Sequence, residues 1–306
     1  MFSMDSNADL SERPLRRADA GSVYQVMAAQ ELADIAMVEI EEADIVGDWA
    51  RPSFDVAAST IGVFDGDHLV GYGEVSGVDR GDAAVHPAYR GRGIGTRLAC
   101  WMQETARARG SSVIGMPVPE GSPGDRLLEA LGYRVRWTSW VLKLPAGAGI
   151  ERRDLPDGYQ LRTADGHEYP ALHAVVEDAF LEWSVRERQT FEDFEASVPG
   201  RPGFEPWNLR VVVDAAGDVA GVAQVLIADP QDGRAPEAYI PRLAVRRDLR
   251  GRGLAEGIDH QSLGEARERG ALVSGLSTDS RTGALGLYEK VGMLVTSVWV
   301  NRAVDL

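Results

Sequence analysis

Hydrophobic and polar positions in the second half of the chain fall into blocks of two different periods. Leu209-Arg210-Val211-Val212-Val213 and the run 219–227 are rich in β-branched residues, and Asp214-Ala215-Ala216-Gly217-Asp218 between them predicts a hairpin. Leu172, Val175, Val176, Ala179 and Phe180 recur at helical spacing and predict a helix over 168–183, with a second short helix over 190–198. Strands are predicted at 159–162, 239–245, 271–277 and 296–304. Between the last three lie a helix at 254–269, stopped by Gly270, and another at 284–291, stopped by Gly292. The order β-α-α-β-β-β-α-β-α-β combines antiparallel hairpins with one β-α-β crossover. It predicts an α/β fold of the α+β mixed kind: a mostly antiparallel central sheet flanked by helices.

The first half repeats this order, with central strands at 60–63, 69–75 and 83–86, a long helix at 96–109 and a last strand at 137–144. The agreement extends to residues. Val85-His86-Pro87-Ala88-Tyr89-Arg90-Gly91-Arg92-Gly93-Ile94-Gly95 aligns with Val245-Arg246-Arg247-Asp248-Leu249-Arg250-Gly251-Arg252-Gly253-Leu254-Ala255, 160 residues later. The same offset pairs Ala106-Arg107 with Ala266-Arg267, Val113 with Val273 and Gly132 with Gly292. Leu15-Arg16-Arg17-Ala18-Asp19 matches Leu161-Arg162-Thr163-Ala164-Asp165 at an offset of 146, so the second copy carries small insertions, one near 229–233. A unit this long is a domain, not a solenoid repeat. The expected organisation is a first domain over 1–145, a linker over 146–157 opened by Pro145-Ala146-Gly147-Ala148-Gly149, and a second domain over 158–306.

A chain of 306 residues with 44% hydrophobic and 26% charged residues suits two soluble globular domains. Residues 1–13 lack the apolar stretch of a signal peptide, and no run reaches the length of a membrane helix. The net charge of −15 argues against nucleic acid as a partner and leans weakly towards cationic small molecules, although solubility alone accounts for it. Cys100 is the only cysteine; it cannot form an internal disulfide, suits a cytoplasmic location, and with no CxxC gives no reason to expect a metal site.

Arg90 to Gly95 and Arg250 to Ala255 each lie between a predicted strand and the start of a helix. Glycines there allow successive N–H groups to point into one concavity, and the helix dipole adds positive potential, so the turn suits a diphosphate. A dinucleotide-binding fold wants a different glycine spacing at the start of a parallel sheet, and a P-loop needs Gly-Lys-Ser/Thr, which neither copy has. A glycine-rich connection without a ligand remains open for either copy.

Arg-x-x-Gly-x-Gly/Ala after Val85-His86-Pro87-Ala88-Tyr89-Arg90 resembles the coenzyme A diphosphate loop of the GNAT superfamily of N-acetyltransferases. Ala284-Leu285-Gly286-Leu287-Tyr288-Glu289-Lys290-Val291-Gly292-Met293 resembles that family's C-terminal signature. The resemblance covers nearly the whole chain and implies two tandem acyl-CoA N-acyltransferase domains, an organisation also found in mycothiol synthases. It implies acetyl-CoA as cofactor and a small-molecule or peptide amine as acceptor. Leu243, Ala244 and Val245 would contact the pantetheine arm and acyl carbonyl, and Arg250, Gly251, Arg252, Gly253, Leu254 and Ala255 the diphosphate. In the first copy Val85, Arg90, Gly91, Arg92, Gly93, Ile94, Gly95 and Thr96 correspond.

Acetyl transfer from a thioester needs a neutral amine, a polarised carbonyl and a protonated leaving thiolate. The resemblance gives Tyr288 the role of acid, against the plain reading of a core aromatic. Leu128 holds that place in the first copy and can donate no proton. The first domain is therefore a coenzyme binder without turnover, a support for the second, or a catalyst working without an acid. Glu237 is the candidate base, equally readable as a strand-end carboxylate; Asp79 and Asp82 in the first copy read as turn formers. Ser280-Arg281 departs from the family, which often has Asn there. Phe180, Trp183, Trp207, Glu182 and Glu187 are candidates to line the acceptor pocket. The competing class is a non-catalytic acyl-CoA-binding or regulatory protein.

Overall fold

The computed structural model describes residues 10–149, 153–228, 234–290 and 292–306. The predicted insertion at 229–233 lies outside them. The described chain forms two compact units that interleave in sequence. The first takes in Met1–Thr138, Glu195–Gly203 and Val298–Leu306; the second takes in Ser139–Phe194 and Phe204–Ser297.

In the first unit β1 (Leu10–Arg13), β2 (Thr60–Asp65), β3 (His68–Ser76) and β4 (Arg80–Val85) follow one another antiparallel. β5 (Val113–Pro119) runs parallel to β4. Helices α1 (Ala20–Ile35), α2 (Glu42–Ala50) and α3 (Val56–Ser59) precede β2, α4 (Ile94–Ala108) joins β4 to β5, and α5 (Pro123–Ala130) follows. The unit's last strand comes from the far end of the chain. Residues 299–305 of β12 (Leu294–Asp305) pair antiparallel with β5, from Trp299↔Pro119 to Asp305↔Val113. Its core includes a cluster of Ala99, Met102, Ile114 and Leu128, all buried between α4, β5 and α5.

The second unit repeats the plan with β7 (Gln160–Thr163), α6 (Tyr169–Phe180), the start of α7 (Phe191–Ser197, whose residues from Glu195 are counted with the first unit), β8 (Leu209–Val213), β9 (Val219–Ala228), β10 (Glu237–Val245), α8 (Leu254–Glu268), β11 (Val273–Asp279) and α9 (Leu285–Lys290). This is the predicted order. β11 pairs with β6 (Arg134–Leu144), from Ser274↔Leu144 to Asp279↔Ser139. Each copy's last strand thus completes the other copy's sheet, so the duplication boundaries near 145 and 158 mark repeats in sequence rather than the edges of the compact units. Ala238, Ile240, Ile258, Leu263 and Ala266 form the core between β10 and α8. Burial of each large aliphatic is worth ~1.5–3 kcal/mol.

Candidate active site

β10 is irregular at one point, and the irregularity makes an opening. Its pairing with β9 shifts register between Tyr239 and Arg242, where Pro241 has no N–H to give the ladder. Ala238 and Ile240 before the bulge, and Leu243 and Val245 after it, pack in the same cluster beside α8, so the extra residue reverses the alternation of side chains. β10 and β11 pair only from Glu237↔Val273 to Ile240↔Leu276, although they continue to Val245 and Asp279. Beyond Ile240 they part in a V.

The N–H of Arg246 donates to the Ala220 carbonyl on the β9 side at 2.9 Å. Alternation along the strand turns the N–H groups of Val245 and Leu243 to the opposite side, into the V. The side chains of Leu243 and Val245 are committed to the core and that of Ala244 is buried, so these residues serve the opening through their backbone.

The glycine turn lies at the mouth of this V. Gly251 and Gly253 have φ of +73° and +83°, a region L side chains rarely adopt, and a Cβ on either would meet nothing within 4 Å. Space is therefore not the reason for glycine; the left-handed backbone is. α8 begins on the turn at Leu254, followed by Ala255, and its first-turn N–H groups have no partner within the helix. Arg250 does not hang free. Its guanidinium is bidentate on Glu182 at 2.7 and 2.9 Å, and its Nε donates to the Val245 carbonyl at 3.1 Å. That ion pair holds the Glu182 carboxyl below the usual range. Val175, Asp178, Ala179, Glu182, Val245 and Arg250 line a cavity of about 520 Å³ beside the turn. Arg252 reaches the Asp248 carbonyl at 3.4 Å, and Glu256 in the first turn of α8 is paired with Arg153.

The first unit has the same turn. Gly91 and Gly93 have φ of +77° and +82° with open space around them, and Arg90 is bidentate on Asp34 at 2.8 and 2.9 Å. Arg92 lies over the Tyr89 ring at 4.7 Å. Ile94 is buried, Thr96 is exposed in the first turn of α4, and a Cβ on Gly95 would stand 2.7 Å from Leu127. One feature differs. Gln30 of α1 accepts the Val85 N–H through Oε1 at 2.8 Å, so the amide equivalent to that of Val245 is already engaged.

Tyr288 is half-buried on α9 against Leu142, Leu276 and Met293. Its phenol is pushed up to about 12, first by burial and then by the charge of Asp259, and stays protonated at neutral pH. Glu237 heads β10 on the face opposite α8, where Lys143 of β6 donates to it at 2.7 Å. Gly275 makes room for that carboxylate, since a Cβ there would collide with Glu237 Oε1. Tyr239, two residues on, donates to Ser277 at 2.9 Å. Arg242 donates to Gln224 at 2.5 Å.

Trp183 takes Arg281 over its ring at 5.0 Å and packs on Phe180 at 5.1 Å. Trp207 is nearly buried under Arg269 and lies in the core. Among the described residues no His, Cys, Asp and Glu group is placed to hold a metal. No helix among them is long and apolar enough to cross a membrane.

The structure therefore brings Val245, Arg250 and Glu182 together around one cavity. Leu243 and Ala244 precede Val245 on β10, which Glu237 heads; residues 251–255 continue the turn, and Tyr288 lies on α9 of the same unit. Sequence reasoning did not single out Gln30, Asp34, Gln224, Arg242 or Asp259. A position-by-position comparison of the two copies would have flagged most of them: Gln224 and Arg242 occupy the paired positions held in the first unit by Glu74 and Asp82.

The acetyltransferase (GNAT) family matches residues 24–133 and again 170–293. A mycothiol acetyltransferase of Salinispora arenicola is 31% identical over 247 residues, 76% of this chain and 77% of that protein. One from Nocardia farcinica is 26% identical over 309 residues, covering 97% and 99%. Among solved structures, a GCN5-related N-acetyltransferase from Sphaerobacter thermophilus superposes with a TM-score of 0.72 at 26% identity, over 97% of this chain and 96% of that one. A tandem GNAT protein from the clavulanic acid biosynthesis pathway shares the fold with a TM-score of 0.69 at 21% identity, covering 97% and 98%. With two copies of the motif, a V-shaped opening over a glycine turn, and family matches across both halves, the chain belongs to the GNAT acetyltransferase family and carries two domains of that fold in tandem.

Proposed function

We propose that the second unit transfers an acetyl group from acetyl-CoA to a primary amine of a small molecule. The observation that supports this reading is the pair of N–H groups on Leu243 and Val245 turned into the V, beside a glycine turn where an added Cβ on Gly251 or Gly253 would meet no atom of the described residues within 4 Å. The cradle and the α8 N-terminus would hold the coenzyme diphosphate. Arg250, fixed by Glu182, would brace the strand end at Val245.

In the V, the N–H groups of Leu243 and Val245 would polarise the thioester carbonyl and stabilise the oxyanion of the tetrahedral intermediate. The amine nitrogen forms its bond to the carbonyl carbon and gives its proton through water to Glu237, once that carboxylate releases Lys143. As the C–S bond breaks, the Tyr288 phenol donates its proton to the departing sulfur. The first unit has Leu128 for the phenol and Gln30 on the Val85 amide, so its role in this scheme is to bind coenzyme without turnover, or to support the second unit.

The test is thiol release by the full chain with acetyl-CoA over amines, amino sugars, polyamines and peptides, with mycothiol-related amines heading the panel. Tyr288→Phe should lower kcat by about 10²-fold with the acceptor KM little changed. Tight coenzyme binding with no thiol released across the panel would favour a non-catalytic acyl-CoA-binding protein instead.

A further inference from the structure

The two units differ most sharply behind Tyr288. In the first unit Ala99, Met102, Ile114 and Leu128 belong to one apolar cluster. The residues 160 positions later are Asp259, Ser262, Ser274 and Tyr288. Strand and helix bounds correspond at that offset: α4 and α8 start on matching residues, as do β5 and β11. Four positions that cluster in the apolar core of the first unit therefore carry polar side chains in the second.

Asp259 is 6% exposed, Ser262 1% and Ser274 not at all. Asp259 Oδ1, Ser262 Oγ and Ser274 Oγ each lack a hydrogen-bond partner among the described residues. Asp259 and Ser262 are three apart on α8 and share one face of that helix; Ser274 comes from β11. Buried polar atoms without partners cost stability unless water or a ligand satisfies them. Ser262 and Ser274 are smaller than the Met102 and Ile114 of the matching positions.

We propose that Asp259, with Ser262 and Ser274, is a buried relay that returns a proton to Tyr288 after each transfer. The inference rests on the assignment of Tyr288 as the acid. The Tyr288 O–H bond breaks as the S–H bond of coenzyme A forms. The phenolate then takes a proton from the Asp259 carboxylic acid, passed along water and the two serine hydroxyls, and Asp259 recovers its proton from solvent. The proton given up by the amine goes to the base on the opposite face, so the count closes over one turnover. Asp259 here is a positioning residue: it acts through Tyr288 and not on the substrate.

Burial pushes the Asp259 carboxyl up to about 6, so about a tenth of it is protonated at pH 7, and transfer from it to a phenolate is downhill. The titratable groups acting on Asp259 are His260 on its own helix and Tyr288 on α9; β11 contributes the uncharged Ser274. Among the described residues no arginine or lysine neutralises the carboxylate.

The test uses the full chain with tyrosine labelled at Cζ, the Tyr288 resonance being identified by its loss in Tyr288→Phe. In the wild type this resonance should inflect near pH 6, and in Asp259→Asn the inflection should vanish. With acetyl-CoA and hydroxylamine as a small acceptor, Asp259→Asn should lower kcat by roughly tenfold, short of the ~10²–10⁴-fold of a direct acid, with the acetyl-CoA KM unchanged. Asp259→Glu should restore part of the loss. Should Asp259→Asn fail to fold, Ser262→Met with Ser274→Ile installs residues that the first unit already packs; Asp259 still titrates there, so the inflection should persist while kcat falls by roughly tenfold, and unchanged kcat would overturn the relay. A flat wild-type resonance, or unchanged kcat in Asp259→Asn while Tyr288→Phe is inactive, overturns the relay and leaves the acid role standing. Full activity in Tyr288→Phe would instead remove the assignment beneath it.

Discussion

Arg302→Met, four residues from the end of the sequence, should destabilise the unit that holds most of its first half. Arg302 lies on β12 within the first unit, with Nε 2.5 Å from Asp125 Oδ1 and a guanidinium nitrogen 3.5 Å from Glu129. Both partners of the Arg302–Asp125 pair are buried, with side chains 11% and 9% exposed. Removing one partner of a buried pair costs ~3–5 kcal/mol, because the other charge is left uncompensated. Asp125 keeps the Gly121 N–H at 2.8 Å and lies in the first turn of α5, where the helix dipole favours a carboxylate by ~0.3–1 kcal/mol. The loss should therefore fall near the lower bound, about 3 kcal/mol, a large part of the ~5–15 kcal/mol that holds a domain folded. Arg302→Met combined with Asp125→Leu should recover most of it, since an apolar pair of similar volume is often as stable as a buried ion pair. Urea unfolding gives the magnitude, and hydrogen exchange gives the place: protection should fall in β5 and α5, far from Arg302 in sequence. A loss below about 1 kcal/mol, no recovery in the double variant, or exchange confined to β8–β11 would refute the reasoning.

Three further outcomes follow from single sites. Gly253→Ala adds a Cβ into open space, so its only cost is the left-handed backbone, ~1–2 kcal/mol, read as a lower Tm of the coenzyme-free chain. Gln30→Ala releases the Val85 N–H and should strengthen acetyl-CoA uptake by the first unit, measured in a chain whose second cradle is disabled. Burial raises the Glu31 carboxyl from 4.5 to about 7, so the folded state binds more protons than the unfolded one between those values and stability falls as pH rises through that window. Glu31→Gln should flatten the decline in stability from pH 4.5 to 7 in denaturant titrations.

Much of this architecture is legible in the sequence because the duplication doubles each local signal. The helix after each glycine turn starts at Ile94 and at Leu254, within two residues of expectation, since Gly93 and Gly253 set the N-terminus in both copies. Tyr239 to Val245 reads as a strand, but the bulge at Pro241 cannot be read from alternation alone, because one inserted residue looks like a change of face. α2 escapes notice: its buried Ile45 and Trp49 are only two anchors in an acidic stretch. The exchange of β6 and β12 leaves no local trace either, since a strand's pattern does not say which sheet it joins.

Around the glycine turn the motif was legible because left-handed backbone there calls for glycine in both copies. The fixed partners of the site residues were not. Glu182 and Asp34 meet the loop arginines, and Lys143 meets Glu237, only through tertiary contact across 68, 56 and 94 residues of chain. Asp259 looks like any polar residue in a helix until its burial is known.

Titration calorimetry of the full chain with acetyl-CoA bears most directly on the claim that the glycine turn of the second unit is a diphosphate cradle. The wild type should take up the coenzyme. Gly253→Asp, which tolerates the left-handed backbone but puts a carboxylate into the cradle, should abolish uptake by that unit, whereas Gly93→Asp should leave it intact. No heat from the wild type, or unchanged binding in Gly253→Asp, would contradict the assignment.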